Sequence, residues 1–198
     1  MKRIGVFGGA FDPPHLAHLA LVKTALVELA LDELRVVPTG KAWHKSRTLN
    51  PVRHRLAMAR LAFADLPRVL VDPIETLRPG PSYTVDTLRA FKVSWPDADL
   101  FLILGEDQAQ ALTSWHDWQE IFQLATICVA ERANPAGVTS QSGLEKAYES
   151  RLRRLPMPAL ALSATDIRTR IAAHLSVVGL VFEPVARYID HHHLYQTT

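Results

Sequence analysis

The chain reads as an α/β protein: a doubly wound, mostly parallel sheet with a small C-terminal helical extension. Two observations predict this. Short apolar runs at residues 4–7, 34–38, 69–72, 100–104 and 126–130 alternate with stretches whose apolar residues recur at a helical period. The run at 100–104 is apolar without a break, as suits a central parallel strand covered on both faces. A length of 198 residues and an apolar content of 48% suit a single domain over 1–198, its helical part beginning near residue 163.

Composition excludes several classes. Lys and Arg number 22 against 20 Asp and Glu, a net charge of +2 and too even for a general binder of nucleic-acid polymers. The one cysteine, Cys128, rules out an intrachain disulfide and suits a reducing cytoplasm. It lies in an apolar run, so a buried, inert thiol is expected. Met1-Lys2-Arg3 leads straight into a strand, with no signal peptide, and no apolar stretch reaches membrane-spanning length. A cytoplasmic protein without a membrane partner is expected; the oligomeric state is left open.

The first strand, 4–7, runs into Gly8-Gly9-Ala10-Phe11-Asp12-Pro13-Pro14-His15-Leu16-Ala17-His18. A helical stripe follows at Leu16, Leu19, Ala20, Val22, Ala25, Leu26, Leu29 and Ala30. The segment is therefore a strand-to-helix turn. Its two glycines are expected to make the turn and to admit a ligand close to the backbone. Free amides and the helix dipole then favour phosphate. Neither a P-loop nor G-x-G-x-x-G fits. His15 and His18, three apart, share one face of the first turn. Beside two glycines they read as phosphate contacts, with capping or core packing as the plainer alternative. A zinc pair is weaker, lacking the i, i+4 spacing and a third ligand.

The second strand, 34–38, is followed by an aperiodic basic loop holding Lys41, His44, Lys45 and Arg47 at the ligand-binding edge of such a sheet. Asn50 as N-cap and Pro51 at N1 open the next helix, with Val52, Leu56, Ala59 and Phe63 as its core stripe. A third strand, 69–72, precedes a Pro/Gly turn into a helix that buries Val85, Leu88 and Phe91. The central strand ends in Gly105-Glu106-Asp107, where an acid is placed for a ribose hydroxyl, a metal or a helix cap. Trp118 reads as core; Trp115, in a loop, reads as a stacking surface or as core.

After the strand at 126–130 come a loop-like stretch, 131–143, and an expected basic helix over 144–155 with Arg151, Arg153 and Arg154 on a solvated face. A short strand is expected at 160–162. Ser163 or Thr165 then caps a helix carrying Arg168, a second convergence of hydroxyls, amides and a guanidinium. The last helix, 184–195, contains His191-His192-His193, which cannot share one ion because successive helical residues point about 100° apart.

Residues 8–18 resemble the G-[ST]-F-D-P-x-H-x-G-H motif of the nucleotidylyltransferase superfamily, with Ala10 and Ala17 departing from it. Residues 162–168 resemble that superfamily's I-S-S-T-x-I-R motif, with Leu162 and Ala164 departing, and His44-Lys45 resembles the His-Lys after its second strand. Adding residues 80–88, Gly105-Glu106-Asp107, Trp115, Trp118 and the ending 185–195, nearly the whole chain resembles the bacterial nicotinate mononucleotide adenylyltransferases. The resemblance implies a Rossmann-like fold. It implies a reaction of ATP with nicotinate mononucleotide to give deamido-NAD and pyrophosphate in NAD biosynthesis, with Mg2+ carried on the ATP or pyrophosphate.

The residues suit that chemistry. A phosphate oxygen is already anionic near neutral pH, so no general base or covalent nucleophile is required. His15 and His18 are the candidates for the α-phosphate, and Lys45, Ser163, Thr165 and Arg168 for the β- and γ-phosphates. Gly8, Gly9, Ala10, Phe11 and Gly105 complete the expected ATP site. The resemblance places Asp107 at the ATP ribose, and His44, Lys45, Thr84, Trp115 and His116 with the mononucleotide. No protein-held metal is expected. Two alternatives remain: a phosphopantetheine adenylyltransferase, and a regulator that holds ATP without turning it over.

Overall fold

The computed structural model describes residues 1–41, 48–132, 148–158, 160 and 162–196. Its centre is a six-stranded sheet, every neighbouring pair parallel, in the order β3-β2-β1-β4-β5-β6. The strands are β1 (Arg3–Gly9), β2 (Glu33–Pro38), β3 (Val69–Val71), β4 (Asp99–Gly105), β5 (Thr126–Arg132) and β6 (Leu152–Met157). The helices are α1 (Leu16–Glu28), α2 (Val52–Phe63), α3 (Ile74–Leu77), α4 (Thr84–Ser94), α5 (Glu106–Gln110), α6 (Trp118–Leu124), α7 (Ala164–Ala172) and α8 (Glu183–His191).

The winding direction reverses between β1 and β4, and in such sheets ligands bind at the strands' carboxyl ends at that point. The 8–18 segment leaves β1 there, and Gly105-Glu106-Asp107 leaves β4 beside it. Both helical layers are apolar on the side facing the sheet. On one side Val22, Ala25 and Leu26 of α1, Ala59 and Phe63 of α2, Ile167 and Ile171 of α7, and Val185 and Ile189 of α8 form one buried cluster. On the other, Val85, Leu88 and Phe91 of α4 and Ile121 and Phe122 of α6 pack on Ile4, Leu100 and Leu102. The C-terminal helices thus share the core of α1 and α2, and the Leu16 amide donates to the Leu180 carbonyl at 3.0 Å.

Several elements differ from their sequence reading. Residues 149–151 form a 3-10 turn and 152–157 form β6, in place of a basic helix; 144–147 lie outside the described residues. Among the described residues β6 pairs only with β5, and it is exposed at Arg153 and Arg154. An edge strand tolerates such charges, and a residue like Pro156, far better than a central one does. Leu160 and Leu162 carry no strand. Helix α2 begins at Val52 with Pro51 at its cap, because the Asn50 side chain turns instead to Asp12. Val52 and Leu56 are only half-buried, while Arg55, Met58 and Ala62 are buried. Leu21 of α1 is buried, while Ala30, expected on the same stripe, lies beyond the helix end at φ 44° and is exposed. Helix α8 stops at His191, leaving Leu194 and Tyr195 in a turn, and the three histidines are exposed. Cys128 is fully buried, which pushes its thiol up to about 12.

Candidate active site

Two cavities open along the carboxyl edge of the sheet, and they share the backbone of Gly8, Gly9 and Ala10 together with Gln108. The larger, about 370 Å³, lies between the mouths of α1 and α7. The smaller, about 50 Å³, lies against the mouth of α4 and the loop before α6.

The glycines do not make the turn that the sequence suggests. Gly8 and Gly9 are the last residues of β1, and the chain turns at Phe11 (φ 48°) and the cis Asp12–Pro13 bond. Gly8 serves access: a Cβ there would meet nothing within 4 Å, so the backbone faces open space. A Cβ on Gly9 would sit 3.1 Å from the Phe11 ring, which packs edge-on against Phe7, His18 and Phe63.

His15 caps α1, and its ring stacks on that of His18, with centroids 3.7 Å apart. The His15 amide donates to His18 Nδ1 at 3.1 Å. The His15 ring turns back toward the His18 amide without a regular hydrogen bond; its buried Nδ1 has no partner among the described residues. Burial lowers the His15 pKa to about 4, so the ring is neutral near pH 7 and offers one N–H and one lone pair, not a charge.

Across the larger cavity, Ser163 caps α7: its Oγ accepts from the Asp166 amide at 3.1 Å and donates to Asp166 Oδ2 at 2.6 Å. Arg168 forks between Thr165 Oγ1 and the Asp12 carbonyl, both at 3.0 Å. Gly105 is the N-cap of α5, a position the sequence also allowed for Asp107, which stands in the first turn. The structure therefore brings Gly8, Gly9, Ala10, Phe11, His15, His18, Gly105, Asp107, Ser163, Thr165 and Arg168 to one cavity.

Thr84, Trp115 and His116 line the smaller cavity. Tyr83 caps α4, and its ring lies 4.3 Å from that of His116, so the first amides of α4 open at this wall. Trp115 is half-buried beside the cavity, and Trp118 is half-buried against Phe122 and Tyr148, less enclosed than the sequence implies. His44 and Lys45 lie outside the described residues.

Three buried polar residues were not singled out by sequence. Arg55 is 1% exposed and donates to the carbonyls of Asn50 (2.9 Å), Ala10 (3.1 Å) and Gly40 (3.2 Å), tying the motif turn to the loop after β2. Its signal was an arginine set four residues before Ala59, on the face that carries the core stripe. Glu75 is buried against the smaller cavity, where it accepts from Thr87 Oγ1 at 2.9 Å; burial raises its pKa, against the pull of Thr87, Arg78, Ser82 and Arg55. Ser82 Oγ accepts from the amides of Gly40 (3.1 Å) and Lys41 (3.2 Å). Gly40 must be glycine here, because a Cβ would lie 2.1 Å from the Glu75 carbonyl oxygen.

The chain matches the cytidylyltransferase-like family model over residues 6–170. A protein of Albidiferax ferrireducens named probable nicotinate-nucleotide adenylyltransferase is 74% identical over 197 residues, covering 100% of both chains. A protein of the same name from Methylibium petroleiphilum is 42% identical, covering 98% of this chain and 92% of its own. Structures of Plasmodium falciparum nicotinic acid mononucleotide adenylyltransferase share the fold at 18% and 19% identity. One, complexed with APC, superposes with a TM-score of 0.79; the other, with NaAD, with 0.80; each pairing covers 98% of both chains. The chain belongs to the nicotinate-nucleotide adenylyltransferases, a cytidylyltransferase-like family of nucleotidyltransferases.

Proposed function

We propose that the protein transfers the adenylyl group of ATP to nicotinate mononucleotide, with ATP in the larger cavity and the pyridine end of the mononucleotide in the smaller. One observation carries this: the cavities meet at Gly8, Gly9 and Ala10, so two phosphate-bearing ligands would meet there. The names of the relatives support it, as do the APC and NaAD of the Plasmodium structures.

A phosphate oxygen of the mononucleotide attacks the α-phosphorus of ATP in line. A P–O bond forms, the bond to the bridging oxygen breaks, and pyrophosphate leaves. The protein has no covalent chemistry to perform; it aligns the reactants and stabilises charge. His18 and the neutral His15 donate to the α-phosphoryl oxygens, and Arg168 and Thr165 take the leaving phosphates. Ser163 acts through the helix it caps. Asp107, in the first turn of α5, faces the ribose. His44 and Lys45 are proposed on the resemblance alone.

Among the described residues no group of three His, Cys, Asp or Glu side chains could hold a metal ion. Mg2+ is proposed, on the resemblance, to arrive on the triphosphate and neutralise it. Among the described residues no helix is long and apolar enough to cross a membrane. Free nucleotide substrates fit the cytoplasm.

Incubation with Mg-ATP and nicotinate mononucleotide should yield deamido-NAD and pyrophosphate in equal amounts. The α4 amides and the Thr84 hydroxyl favour a carboxylate over a carboxamide, so kcat/KM should be on the order of 10²-fold lower with nicotinamide mononucleotide. Turnover with phosphopantetheine instead, or ATP binding without turnover, would overturn the reading.

A further inference from the structure

Asp12 is 1% exposed, and the segments joined at it are far apart in sequence. Its carboxylate accepts from the Asn50 side chain at 2.9 Å, the Asn50 amide at 3.2 Å, and the Tyr195 hydroxyl at 2.6 Å. Its carbonyl accepts from Arg168 at 3.0 Å. Tyr195 stands beyond the end of α8 at φ 65°, next to the buried Leu194, and also touches Met58 Sδ at 3.9 Å. Such a left-handed position is unfavourable for tyrosine, so packing holds the residue where its hydroxyl meets the motif turn.

From this geometry we infer that Tyr195 is a positioning residue for adenylyl transfer: through Asp12 it sets Arg168 and the His15 turn at the larger cavity. The inference rests on the ATP assignment proposed above. Asp12 lines the larger cavity and not the smaller, so the effect should fall on ATP. The mononucleotide should be spared. A buried carboxylate that loses a short hydroxyl donor leaves its turn free to shift, and small misplacements of phosphate-binding groups lower rates strongly.

The test compares Tyr195→Phe with Tyr188→Phe. Tyr188 bonds His54 Nδ1 at 3.0 Å, so its loss removes a comparable C-terminal hydroxyl contact without touching Asp12. Tyr195→Phe should lower kcat about tenfold and weaken ATP, in KM and in calorimetric Kd, by severalfold. The mononucleotide KM should stay within about twofold, and Tyr188→Phe should keep parental kinetics. Unchanged ATP affinity and kcat in Tyr195→Phe would overturn the inference, as would equal losses in both variants. If the parent does not turn over nicotinate mononucleotide, the proposed function fails, and the calorimetric ATP comparison still decides the role of Tyr195.

Discussion

The two cavities share a floor but are held in different ways. Behind the larger one, the motif turn is fastened from inside the protein: Arg55 reaches three carbonyls, and Asp12 gathers Asn50, Arg168 and Tyr195. Beside the smaller one, α4 is fastened to α6 from outside, where Arg89 pairs with Asp86 at 2.9 Å, Asp117 at 3.0 Å, and Glu120. Asp117, at φ 48°, directly follows His116, so this exposed network borders the pyridine wall. Hydrogen bonds made in the interior cannot be exchanged for water, whereas exposed ion pairs can. The motif turn should therefore depend on single residues far more than the exposed α4–α6 contact does.

The largest effect is expected at Arg55. Arg55→Met leaves three carbonyls without this donor and should destabilise the protein by about 3 kcal/mol or more. Thermal unfolding should show a melting temperature about 6–12 °C lower. A loss as small as that of a surface variant would break the contrast.

His15 supplies a pH-dependent effect on the same side. Its folded pKa, about 4, lies below the unfolded 6.5, so the unfolded chain binds more protons between those values. Its contribution is complete above about pH 6.5 and falls as pH drops, by about 3 kcal/mol near pH 4. Urea unfolding at pH 7, 5.5 and 4 should show this slope in the parent and a flatter one in His15→Gln. Parallel slopes would show that the ring is not buried as described.

His18→Ala should lower kcat by roughly 10²-fold, the scale for one lost preorganised donor, or about 2.7 kcal/mol. Its melting temperature should fall by a few degrees at most, because the His15 amide loses its acceptor while α1 keeps its buried face of Leu21, Val22, Ala25 and Leu26. Near-normal turnover would make the histidine structural. The smallest effect is expected at Arg89. Arg89→Met should keep the melting temperature within about 2 °C of the parent, because exposed ion pairs contribute little. A large drop would mean that the pyridine wall is as tightly held as the phosphate wall.

The same contrast explains what could be read in sequence. The mouths of α1, α4 and α7 were legible because helix starts are local: His15, Thr84 and Ser163 each stand at or beside a cap. The strand order places them on one edge, and the apolar runs locate five of the six strands to within two residues at each end. Arg55, Glu75 and Tyr195 were not legible as site-builders, because partners 12 to 183 residues away give them their roles. Glu75, whose hydrogen-bonding partner is only 12 residues off, also has its carbonyl packed against Gly40, a contact its local sequence does not announce. The β6 sequence, with Arg153, Arg154 and Pro156 among its six residues, has no apolar run to mark it as a strand.

The central claim is that two substrates occupy separate walls above one floor, and a crossed KM measurement tests it most directly. Arg168→Ala should raise the ATP KM at least about fivefold and leave the mononucleotide KM within about twofold. Arg168→Lys should recover only part of the loss, because an ammonium lacks the planar fork that spans Thr165 and Asp12. Thr84→Ala should do the reverse, raising the mononucleotide KM about fivefold with the ATP KM unmoved. If each variant shifts both KM values together, or the two patterns are exchanged, the assignment of ATP to the larger cavity and of the mononucleotide to the smaller is contradicted.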